Sequence, residues 1–162
     1  MLDPTTLKDA FLRDHQILTR GLAALQSAVS RGDGPLAKSL AELLDRDAGP
    51  HIEFEETMFY PMLIEVFGKE FVRGLYSEHD CCRRALEYLR EIDQGSIAWE
   101  ELRDSLRIAM DHVKSCGSLT SHLVGLDPDR RRELLDGLIE SRERGTKWTE
   151  IDRAKRVDLL PG

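Results

Sequence analysis

Four of the five histidines in this 162-residue chain fill gaps in apolar stripes of helical spacing. His15 lies between Phe11 and Leu18, His79 between Leu75 and Cys82, and His112 between Ala109 and Leu119. His51 precedes Glu55 by four residues, which puts both on one helix face, one turn apart, in line with Met58 and Met62. Imidazole and carboxylate are ligands for iron, zinc or manganese. Buried together without partners, such groups would each cost about 1–3 kcal/mol. A metal ion held among them would remove that cost. Cys116, one turn beyond His112, admits two readings: a small hydrophobe completing the stripe, or a thiolate that binds or tunes a metal.

The elements that must carry these residues are helices. Valine, threonine and isoleucine are sparse, and no run alternates long enough to suggest a sheet. The first helix is expected over about 5–30, with Leu7, Phe11, Leu18, Leu22, Leu25 and Val29 on one face. The second, 35–67, carries Leu36, Leu40, Leu43, Leu44, Met58 and Met62, with a kink expected at Gly49-Pro50. The third, 70–93, ends in the loop Asp93-Gln94-Gly95-Ser96, and the fourth spans 99–124. The expected fold class is all-α, an up-down-up-down four-helix bundle over residues 1–126. Residues 127–162 form a C-terminal helical appendage packed on it, starting at Asp127-Pro128 and running through about Arg142, with a weaker piece around Trp148.

Depth along the bundle follows from counting to loops at one end. His15 and His51 each lie 18 residues from Asp33, while His79 and His112 lie 16 and 17 from Gly95. At a rise of about 1.5 Å per residue, that spread is only about 3 Å. All four imidazoles are therefore expected in one layer.

The stretch from His51 to Pro61 resembles the His-x-x-x-Glu-Glu signature, followed by an aromatic and proline, of hemerythrin-like HHE cation-binding domains. Glu78-His79-Asp80 and Asp14-His15 look like that family's third-helix and first-helix motifs, and the resemblance covers about residues 5 to 124. It implies a non-haem diiron centre that binds oxygen or senses oxygen, nitric oxide, redox state or iron. His15, His51, His79 and His112 would be terminal ligands and Glu55 a bridging carboxylate. The family's second bridging acid would stand one turn beyond His112, where this chain has Cys116 and Gly117. Its oxygen carriers add a histidine one turn beyond His79, where this chain has Arg83, a cation expected to point away. The remaining donors leave two irons completed by water or hydroxide, or a single metal, both open.

Among the neighbours, Asp47 reads as an acceptor for an imidazole N–H or as a solvent contact, and Glu56 and Glu78 as a solvated face. Phe54, Phe59 and Tyr60 read as packing around the site. His122 falls roughly 80° off the face of His112 and is left outside.

The net charge of −7 and the absence of a basic patch with interleaved aromatics argue against nucleic acid, and the run 129–133 is bracketed by acids. No apolar leader core or membrane-spanning window appears. Three cysteines, two of them adjacent, read as reduced thiols, so a cytoplasmic address is expected. Glu-x-x-His pairs, His-Glu-x-x-His, nucleophile elbows and phosphate loops are missing, and the chain is not read as an enzyme. The expected partner is O2 or NO, with a protein partner or a second copy left open. The alternative function is a regulatory or interaction bundle with a mononuclear or lost metal site.

Overall fold

The computed structural model describes residues 6–156 apart from Gln94, and the regular structure among them is entirely helical. Thr5 at the expected start of the first helix, Gln94 of the expected loop and residues 157–162 of the appendage lie outside the described residues. Helix α1 spans Thr6–Ser30, closed by Gly32 at φ +67°. Asp33 caps α2, Gly34–Phe54, by accepting from the Leu36 amide, with Pro35 in the first turn. A π-helical turn, Glu55–Phe59, joins it to α3, Tyr60–Phe67, and Gly68 ends the rod at φ +85°. Helix α4 spans Lys69–Glu91 and α5 Trp99–Gly117.

Beyond Gly117 the expected fourth helix tightens into a 3-10 turn, Ser118–Thr120, before the short α6, Ser121–Val124. Ser118 and Thr120 hydroxyls donate to the carbonyls of Ser115 and Gly117, which competes with the α-helical ladder. Helix α7, Pro128–Arg144, is capped by Asp127 and stopped by Gly145 at φ +62°, two residues beyond the expected end at Arg142. A 3-10 turn, Trp148–Glu150, follows.

Helix α1 packs on α2 and α5, and α4 packs on the same two, which is the square of an antiparallel four-helix bundle. Helix α7 lies along α2 and α1. Two apolar clusters fill the interior. One runs from Leu18 and Val29 through Ala41, Ile52, Leu86 and Leu106, and the other from Phe11 and Phe54 through Leu63, Val72 and Leu134.

The second helix departs from expectation in two ways. Leu36 and Leu43 are exposed, and the inward stripe is carried by Ala37, Ala41, Leu44 and Ala48. Small side chains there let helices approach closely. As expected, Gly49-Pro50 does not end the helix, which continues to Phe54 with Pro50 inside. Gly49 makes room for a neighbour: a Cβ there would lie 2.1 Å from the Thr146 carbonyl oxygen. The irregularity comes one turn later, in the π turn, where the Tyr60 N–H bonds the Glu55 carbonyl. That extra residue shifts the phase of everything beyond it, so Phe59, Tyr60 and Leu63 are fully buried while Met58 and Met62 are only partly so.

Candidate metal centre

Between the two apolar clusters lies a polar layer containing His15, His51, Glu55, His79 and His112, all buried. His15 and His51 pair with ring centroids 5.6 Å apart, and His79 and His112 with centroids 4.6 Å apart. Glu55 stands between the pairs, 1% exposed. Its Oε1 lies 3.3 Å from His51 Nε2 and 3.8 Å from His79 Nε2. Its Oε2 accepts from the Tyr60 hydroxyl at 2.9 Å and from Cys116 Sγ at 2.6 Å. Ligand atoms of Glu55, His112 and Cys116 fall within 4.8 Å of one another.

Tyr60, expected as packing, sits at the focus of the layer. Its oxygen is 3.0 Å from His79 Nε2, 3.1 Å from His112 Nε2 and 3.6 Å from Cys116 Sγ. In an α-helix, residues five apart diverge by about 140° at 100° per residue. The extra residue of the π turn removes about 100° of that, which brings Tyr60 over the turn that begins at Glu55.

Glu56 and Glu78 are not a solvated face. Glu56 Oε1 lies 3.0 Å from His79 Nδ1, and Glu78 Oε2 lies 2.5 Å from His112 Nδ1. Asp14 faces His51 Nδ1 at 3.5 Å, whereas Asp47 pairs outward with Arg46 at 2.8 Å. Arg83 points to the C-terminal segment, donating to the carbonyls of Thr149 and Ile151. His122 lies against Phe67, with centroids 5.1 Å apart.

These contacts decide which nitrogens carry protons. An ionised carboxylate can only accept, so His79 and His112 donate from Nδ1 and present Nε2 lone pairs inward. The Tyr60 oxygen then faces both lone pairs and Glu55 Oε2 with a single hydrogen to give. On the other side, His15 Nε2, His51 Nε2 and Glu55 Oε1 are buried without a hydrogen-bond partner. Excess acceptors on one side and orphaned atoms on the other both fit a cation. The residues present therefore suit a metal site.

Electrostatics agree. Burial, aided by His51 and His112 and opposed by Glu55, drives the His15 pKa down to about 4, so its ring is neutral at pH 7. His112 is also lowered, chiefly by burial. Burial works against charge on His51, but Glu55 and then Asp14 outweigh it and lift the pKa to about 9. Burial would raise Glu56, yet His79 and Arg156 hold it down to about 2. The Cys116 thiol is pushed well up by burial and then by Glu55, against the Tyr60 hydrogen bond, and the Tyr60 hydroxyl by burial, then by Cys116 and Glu55. Without metal, a proton on His51 supplies the missing positive charge.

Stability of the metal-free protein should therefore peak near pH 6.5. The charged His51 contributes stability below 6.5 that is lost as pH rises through about 9. Glu56 contributes stability above 4.5 that is lost as pH falls towards about 2, and the neutral His15 adds a further acid-side loss between 6.5 and about 4. Urea midpoints measured across this range would refute the His51–Glu55 ion pair if they kept rising from pH 7 to 9.

No significant match to a curated protein or to a solved structure was found. The model of the hemerythrin HHE cation binding domain matches residues 6–123, the span that contains α1 to α5 and every residue of the layer. With one histidine from each helix of the bundle aimed at a shared carboxylate, the chain belongs to the hemerythrin HHE cation-binding family.

Proposed function

We propose that the chain is a non-haem iron protein with a dinuclear centre bridged by Glu55, serving to bind or sense O2, NO, redox state or iron. The observation that carries this is the Glu55 carboxylate, whose oxygens face two different sets of donors. His15 and His51 would hold one metal. His79 and His112 would hold the other, with Tyr60 and Cys116 standing where the family's helix-four acid is missing. Iron bound there would supply reversible binding of a diatomic ligand and one-electron exchange.

The protein's own residues provide the setting. Phe11 and Phe59 pack against the layer beside His51, with the Phe11 ring 4.6 Å from the His51 ring. Glu56 and Glu78 orient His79 and His112 by hydrogen bonds, and Asp14 faces His51 Nδ1 at 3.5 Å as its electrostatic partner. A cleft of about 410 Å³, lined by Asp14, Ile17, Pro50, His51 and Arg142, reaches His51 from the surface and offers a small ligand a route in. The free Cys81, Cys82 and Cys116 support a reducing compartment such as the cytoplasm. Among the described residues no helix is long and apolar enough to cross a membrane.

Metal content of anaerobically purified protein, with absorption spectra before and after air, tests the reading. Two irons per chain with an oxo-bridge absorption after air would support it. One metal would point to a mononuclear site in which Tyr60 keeps His79 and His112 as a hydrogen-bonded pair. None after reconstitution would leave an interaction bundle.

A further inference from the structure

The family match ends at residue 123, yet the layer's outward hydrogen bonds continue into the segment beyond it. Arg142 on α7 donates from Nη2 to Asp14 Oδ1 at 2.8 Å, and the other Asp14 oxygen faces His51 Nδ1. Arg156 forks onto both oxygens of Glu56, at 2.9 and 2.7 Å, and Glu56 in turn accepts from His79 Nδ1. The same guanidinium holds Asp80 at 3.0 and 2.8 Å and lies 4.7 Å from the centre of the Tyr76 ring.

Two of the three carboxylates behind the histidines are thus clamped from outside by arginines of the C-terminal segment. The third, Glu78, bonds His112 from the rim of the layer, with 41% of its side chain exposed. Arg144 makes the same kind of pair with the buried Glu53 at 2.7 Å, but among the described residues no histidine bonds to Glu53. The segment is also pinned at its middle. Asp45 accepts from the Thr149 amide and hydroxyl at 2.8 and 2.9 Å, and the Trp148 ring packs edge-on to His79 with centroids 5.8 Å apart.

We propose that the segment 128–156 is a working part of the metal centre, in which Arg142 and Arg156 are positioning residues acting through Asp14 and Glu56 on His51 and His79. The inference rests on the metal-centre reading above. Its physical basis is that a carboxylate on Nδ1 fixes the tautomer and the direction of the Nε2 lone pair only while it is itself held in place and ionised. Arg156, only 14% exposed, does both for Glu56, while Arg142, 41% exposed, holds Asp14 from the solvent side. Because both clamps lie on one segment, docking of that segment and binding of a divalent cation favour each other by the same factor.

The test uses the full chain with Fe(II) and with Co(II) as a spectroscopic probe, both under anaerobic conditions. Affinity is read by chelator competition, geometry by the Co(II) absorption bands, and docking by protease cleavage within 128–156. Arg142→Gln and Arg156→Gln should each weaken metal binding, Arg142→Gln the less, by less than the about ten- to hundredfold that loss of the carboxylate itself brings, and alter the Co(II) bands. Arg156→Lys should recover part of the loss, since it keeps the charge without the fork. Arg144→Gln should leave affinity and bands at wild-type values. Metal should slow cleavage of the wild-type segment.

Wild-type affinity and spectra in both glutamine variants would overturn the inference while leaving the metal centre standing. An equal loss in Arg144→Gln would overturn it too, by showing only a general structural role. Failure of the wild type to bind either metal would remove the centre and the inference together. Should Arg156→Gln not fold, Asp80→Asn, which frees only the outer half of the fork, should give the same direction of change with a smaller size, and its absence would count against the proposal.

Discussion

Glu55→Gln should empty the layer of metal. The substitution keeps the volume and one acceptor oxygen but removes the charge that both donor sets face. Affinity should fall beyond the roughly ten- to hundredfold that losing an outer carboxylate brings, because a direct ligand shared by two ions is lost. The metal-free protein should suffer as well. Removing one partner of a buried ion pair leaves the other uncompensated, at about 3–5 kcal/mol, partly relieved here by release of the His51 proton. Metal per chain and urea midpoints, compared with wild type, check both parts. Two metals retained per chain would rule out Glu55 as the bridge.

Gly49→Ala should destabilise the protein by about 3 kcal/mol or more, against the sign that helix propensity alone gives. Alanine in a helix interior is favoured over glycine by about 1 kcal/mol. At position 49, however, the new Cβ would lie 2.1 Å from Thr146 O, 2.7 Å from Trp148 N and 2.8 Å from Lys147 C, all backbone atoms that cannot rotate away. Overpacking of well-filled sites costs about 1–3 kcal/mol, and a clash with backbone belongs at or above the top of that range. The segment would have to lift, straining the Asp45–Thr149 and Arg83–Thr149 bonds that anchor it. Gly74 on α4 has nothing within 4 Å of the corresponding position, so Gly74→Ala should stabilise instead. Paired urea titrations of the two variants decide the matter, and a more stable Gly49→Ala would contradict the close approach.

The two glycines show what a single chain can and cannot disclose. Periodicity in α-helices is local, so the four helices, and one histidine from each with Glu55 beside them, were legible: steps of three and four bring His51 over Glu55 and Leu18 beneath His15. Tyr60 was hidden because its approach depends on a π turn, whose one extra residue moves it about 100° from where a regular helix would carry it, and no residue type announces such a turn. Two glutamates beside the ligand positions, Glu56 and Glu78, looked like solvent contacts because each serves a histidine on a different helix. Partners across helices leave no spacing to read. Leu36 and Leu43 were misplaced because leucine is abundant on both faces of α2, and the alanines that decide the packing carry little periodic signal. The second reason for Gly49, a close approach, was hidden as well, because the backbone it makes room for lies almost a hundred residues away.

The wide separation of the ligands along the chain governs when a cation can join the fold. Apart from His51 and Glu55, the histidines of the layer come from different helices and are separated by 28 residues or more. A loose chain offers an ion no ready-made chelate, and loops of that length must close before a third donor arrives. Assembly of the bundle precedes capture of the ion, and the ion has little hold on the unfolded state. Whatever free energy it gains on binding is added almost whole to the native state, about 2.7 kcal/mol when its concentration is a hundred times Kd. With the proposed centre in place, heat resistance would be tied to the metal supply around the protein.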